Sequence, residues 1–81
     1  RGFTPLIKKL LEQSEQIRQE SLLAAEKHLL NGVDPSEVLK QLSVQLTNRL
    51  LHHPLVNITA ADGKLQDVRL ELLAELYSLE I

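Results

Sequence analysis

Apolar residues recur along this chain at spacings of three and four, the period of a helix that buries one face. Leu6, Ile7, Leu10, Leu11, Ser14, Ile17, Ser21, Ala24, Ala25, His28 and Leu29 form the first such stripe. Thr4 followed by Pro5 predicts its start, a hydroxyl cap and then proline at the first helical position. Asn31-Gly32 predicts its stop, because glycine is the favoured left-handed cap. A second helix is announced by Asp34-Pro35-Ser36-Glu37, with an N-cap carboxylate, an N1 proline and a glutamate in capping-box order. Val38, Leu39, Leu42, Leu46, Leu50 and His53 mark one of its faces, while Val44 and Leu51 lie off it. A helix that is apolar on more than one side needs neighbours on both.

Pro54 is expected to end or kink this helix at His52-His53, because proline lacks an N–H and clashes with the preceding turn. Leu55, Val56 and Ile58 then start a further short helical piece. Thr59-Ala60-Ala61-Asp62-Gly63 is the next break, and a last helix runs from about Leu65 to Tyr77 with the stripe Leu65, Val68, Leu72, Leu73, Leu76 and Leu79. The fold class is all-α, a small bundle of about three to four helices that dimerises through leucine-rich faces.

Composition strengthens this picture. The chain has 81 residues, enough for one domain only, and it is 43% hydrophobic but 2% aromatic. Leu, Ala, Glu, Gln, Lys and Arg, all good helix formers, dominate. A domain of this size buries little surface and usually needs a disulfide, a metal or a second chain. It has no cysteine, so disulfides and thiolate metal sites are excluded, and self-association is the remaining source of stability. The lack of cysteine fits the cytoplasm. Formal net charge is −2, against the basic face usual for nucleic-acid binding. No apolar run approaches the roughly 20 residues of a membrane span. Arg1-Gly2-Phe3-Thr4-Pro5 carries no signal-peptide pattern, and the missing initiator Met predicts a fragment of a longer chain.

Candidate chemistry is sparse. His28, His52 and His53 suggest a metal, yet adjacent histidines on a helix point about 100° apart. A packing or helix-terminal role fits them better, and no metal is expected. The glycines at 2, 32 and 63 are isolated, so no phosphate-binding loop is built. No serine is paired with a base, and Glu71 and Glu75 fit a solvated face, so no catalytic residue is assigned. Asp34 and Glu37 would repel phosphate at the start of a recognition helix, and Lys40, Arg49, Lys64 and Arg69 are scattered among acids, so DNA is not expected as a partner. The most informative stretch is Gln45 to Pro54. Thr47 and Asn48 are poor helix-interior residues set between leucines. Such a pair either fixes register at a helix interface or faces water.

Leu46-Thr47-Asn48-Arg49-Leu50-Leu51-His52-His53-Pro54 resembles the L-T-N-K/R-L-L-H-x-P signature of the glutamyl-tRNA reductase dimerisation domain. Pro5-Leu6-Ile7 and Glu12-Gln13-Ser14-Glu15-Gln16-Ile17-Arg18 are similar to the family's opening, and Leu73 to Leu79 to its L…L-F-G-L end. The chain departs from the pattern at Asp62-Gly63, where Gly-Asp is frequent, and at Tyr77-Ser78, where Phe-Gly is common. The resemblance implies one helical dimerisation domain over residues 1–81, at the C-terminal end of a multidomain homodimer. It implies a parent enzyme that reduces glutamyl-tRNA to glutamate-1-semialdehyde with NADPH in tetrapyrrole biosynthesis. The catalytic Cys and the NADPH-binding glycines of such an enzyme lie in other domains, so this fragment is itself neither enzyme nor cofactor site. The dimer role carries over to Leu46, Thr47, Asn48, Arg49, Leu50, Leu51, His52 and Pro54. A helical adaptor for another protein's helix is the alternative, and a small DNA-binding regulator the next.

Overall fold

The computed structural model describes residues 3–80; Arg1, Gly2 and Ile81, and with them the reading of the chain start, lie outside the described residues. Three helices follow one another, α1 (Phe3–Leu30), α2 (Pro35–Thr59) and α3 (Gly63–Leu76). All described secondary structure is helical, in agreement with the all-α expectation. The chain divides into two compact units, Arg1–Leu50 and Leu51–Ile81, and α2 contributes to both.

In the first unit, α1 begins at Phe3, so Thr4 and Pro5 fall inside its first turn rather than marking its boundary. Proline is tolerated there because first-turn N–H groups have no intrahelical acceptor. The end of α1 follows expectation. Gly32 takes φ 83°, its N–H donates to Leu29 C=O at 3.1 Å, and the Val33 N–H donates to His28 C=O at 3.1 Å. This is the double closure of a Schellman cap. Lys27 and His28 lie in the last turn, where the helix dipole favours positive charge. The N-cap of α2 is as expected too: Asp34 Oδ2 accepts from the Glu37 N–H at 3.3 Å, while the Glu37 carboxylate lies near Lys40 rather than turning back to the cap.

Ser14 and Ile17 are half-buried and Ser21 and Ala25 buried on α1, at the three- and four-residue spacing of one stripe. Val38 is buried and Leu42 and Leu46 half-buried on the facing side of α2. Ser21 and Ala25 are small, which lets the two backbones approach closely.

In the second unit, Pro54 does not end the helix. α2 runs through it to Thr59, and Leu55, Val56 and Ile58 belong to its final turns rather than to a separate piece. The cost of the lost hydrogen bond is borne by a helix that is already anchored: Leu51 and Pro54 are half-buried, and Ile58 and Ala61 are buried. The expected break does come at Ala60 to Asp62. α3 ends in a second Schellman cap, with the Leu79 N–H on Ala74 C=O at 2.8 Å and the Ser78 N–H on Glu75 C=O at 3.3 Å.

α3 meets α2 through Gln66, Arg69, Leu73 and Ala74, all half-buried. The last carbonyls of α2 have no donor within their own helix. Gln66 Nε2 donates to Ile58 C=O at 3.2 Å, and Arg69 Nη1 donates to Asn57 C=O. α2 has no basic residue in its own last turn. Arg69 supplies from α3 the positive charge that a helix C-terminus favours.

Candidate interaction surface

Little of the apolar material identified in the stripes is covered. Among the described residues, the buried hydrophobic ones are Ala25, Val38, Ile58 and Ala61, and no large side chain is fully buried. On the N-terminal half of α1, Leu6, Ile7, Leu10 and Leu11 are exposed, Leu6 by 66%. On α2 the exposed set includes Leu39, Val44, Leu50, Leu55 and Val56, and on α3 it includes Leu65, Val68, Leu72 and Leu76. The accessible surface is 6960 Å² for a 9.1 kDa chain.

The signature residues divide into covered and open positions. Leu46, Leu51 and Pro54 are half-buried within the chain, whereas Thr47, Asn48, Arg49, Leu50 and His52 are exposed. Consecutive residues of a helix point 100° apart, so this run encircles α2 and cannot present one face. The spacing sets Asn48 and His52 on the same face as the exposed Val44 and Leu55. The Thr47 hydroxyl donates to Ser43 C=O at 2.9 Å, and Ser43 to Lys40 C=O at 2.8 Å, so these polar residues satisfy themselves within the helix. The His52 and His53 rings stand edge to face, 5.5 Å apart.

Arg49 has work within its own unit. Its Nη1 donates to Ser21 Oγ at 3.2 Å and its Nη2 to Glu20 Oε1 at 2.9 Å. Ser21 is 4% exposed, and this contact gives its buried hydroxyl a partner. The arginine thus fixes the register of α1 against α2. The stripe pattern placed Ser21 inward, but nothing in the sequence pairs it with a residue 28 positions away. The inward placement of Gln66 and Arg69 was equally unannounced.

Titration is perturbed at one exposed pair. Arg18 forms a two-pronged contact with Glu15, and Gln19 adds a hydrogen bond at 3.2 Å. These donors, Arg18 first, lower the Glu15 carboxyl to about 2. Glu15 in turn raises the Arg18 guanidinium. Among the described residues no three His, Cys, Asp or Glu side chains gather as a metal site. Among them, too, no helix is long and apolar enough to cross a membrane. Gly32 and Gly63 stand alone at helix boundaries with positive φ, where no nucleotide loop is formed. What the geometry offers is apolar area for association.

Comparison with known proteins agrees. The family model for the dimerisation domain of glutamyl-tRNAGlu reductase matches residues 1–79. The chain is 40% identical over 80 residues to glutamyl-tRNA reductases of Neisseria gonorrhoeae and Neisseria meningitidis, covering 99% of this chain and 19% of theirs. It is 42% identical over 71 residues to that of Pseudomonas aeruginosa, covering 85% of this chain and 16% of that protein. It spans about a fifth of the length of these relatives at most. No solved structure matches it. A helical chain with its leucines turned outward, matched over nearly its whole length, belongs to the glutamyl-tRNA reductase dimerisation-domain family.

Proposed function

We propose that this chain joins two copies of a glutamyl-tRNA reductase. The observation that carries the proposal is the set of large aliphatic side chains left exposed on all three helices, among them Leu6, Leu10, Leu39, Leu50, Leu65 and Leu76. A two-fold pair buries the same patch on both copies, so one stripe of leucines serves twice.

Residues 1–81 act as one helical dimerisation domain of a larger multidomain enzyme. The parent reduces glutamyl-tRNA to glutamate-1-semialdehyde with NADPH, in the cytoplasm, in tetrapyrrole (porphyrin) biosynthesis. Catalysis and NADPH binding belong to its other domains. The present domain keeps two catalytic arms at a fixed separation. The family signature assigns the dimer contact to Leu46, Thr47, Asn48, Arg49, Leu50, Leu51, His52 and Pro54. Leu50, Asn48 and His52 are its best-placed members, because their side chains are open to a partner. Light scattering on the full-length protein tests this reading. A dimer at micromolar concentration is expected, and a helical monomer at tens of micromolar would overturn it.

A further inference from the structure

In the second unit, α3 leaves an apolar face exposed. α3 lies on α2 through Gln66, Arg69 and Leu73, and none of its residues is buried. At 100° per residue, Leu65, Val68, Leu72 and Leu76 form a separate stripe about a quarter turn round the helix from that contact. All four are at least half exposed, Leu76 by 78%. A 14-residue helix thus turns a half-polar face inward and an aliphatic one to water. Solvent alone gives no reason for that arrangement.

We infer that this stripe is a contact between two copies of the chain, in which the α3 helices pair antiparallel across the two-fold axis. The inference rests on the dimer reading and locates part of its interface. Charge selects a second copy as the occupant. Lys64, Glu71 and Glu75 flank the stripe on the side away from α2, with the cation at the N-terminal end and the acids towards the C-terminal end. Lys64 and Glu75 have no ion-pair partner among the described residues.

An antiparallel pair centred between Val68 and Leu72 sets Val68 against the partner copy's leucine and brings Lys64 beside the opposite glutamate, twice. Asp67 lies further round, away from the seam. In a parallel pair the charged flank would face the Gln66–Leu73 side of the other copy. That side is already occupied by α2.

Sedimentation equilibrium on the full-length protein tests the assignment. Leu72→Glu and Val68→Glu are each expected to raise the dimer dissociation constant at least about a hundredfold, because the change is made on both copies. Lys64→Glu and Glu75→Lys each raise it about two- to tenfold, and the double reversal returns it to within about twofold of the parent. The reversals sit on an exposed face and keep the test open if an apolar variant fails to fold. An unchanged constant in Leu72→Glu with helicity intact would overturn the α3 contact, as would a double variant weaker than either single one. If those results come from a parent protein that is itself dimeric, only the α3 assignment falls. A parent protein that is monomeric overturns the dimer reading and this inference together.

Discussion

Ser78 carries a backbone conformation that suits it poorly. Its φ is 53°, in the left-handed region, while the equivalent position after α1 is held by Gly32 at 83°. A side chain in that region costs roughly 1–2 kcal/mol, partly offset by its lower freedom in the unfolded chain. Ser78→Gly is therefore expected to stabilise the chain by about 1 kcal/mol, read as a higher urea midpoint. Gly32→Ala should do the reverse by about 1 kcal/mol, and by backbone strain alone. An added Cβ at Gly32 meets nothing within 4 Å, so no packing effect confuses the result. Glu15 gives a prediction of a different kind. Its folded pKa of about 2 lies below its ordinary value of 4.5. The contribution to stability is complete above the ordinary value and is lost as pH falls from there towards 2. The pair is solvent-exposed, so the effect is small and salt weakens it. Glu15→Gln should flatten the acid limb of stability between those values. An NMR titration of the Glu15 carboxyl with an ordinary midpoint would remove the premise.

Helix boundaries set by local chemistry could be read directly from the chain. Asn31-Gly32 and Asp34-Pro35-Ser36-Glu37 each complete their own hydrogen bonds within a few residues, and they fall where the pattern placed them. Pro54 does not end the helix because its penalty is local while its compensation is not. The half-buried Leu51 and Pro54 and the buried Ile58 hold α2 helical despite the missing donor. Restoring that donor with Pro54→Ala should stabilise α2 by about 1–2 kcal/mol, less than the roughly 3 kcal/mol of an unpacked helix because ring packing is lost. Slower amide exchange over residues 50–58 would show it, and unchanged exchange would count against it. The inward faces were less legible. Gln66 and Arg69 point inward because α2 ends beside them with unsatisfied carbonyls, a fact no periodicity carries. Arg49 stood in the family signature, but its partners Glu20 and Ser21 lie a whole helix away. The signature singles out the segment that matters without saying which of its side chains turn outward.

At the scale of the whole molecule, the described residues bury few large apolar side chains. Ala25, Val38, Ile58 and Ala61 are small or medium side chains, and the leucines that would supply most of the hydrophobic stabilisation remain in water. Isolated helices gain most of their stability from a packed apolar face, which these helices largely lack. Folding and pairing should then be one equilibrium, as in obligate homodimers without a stable monomer. Stability must in that case depend on concentration. With about 0.7 kcal/mol of unfolding enthalpy per residue, two 81-residue copies melting together lose about 4 °C in Tm per tenfold dilution. Circular dichroism melts of the chain from about 1 to 100 µM would give a slope of that size. A Tm that stays constant across the range would mean that the three helices hold one another without a second copy, and that the exposed leucines need another explanation.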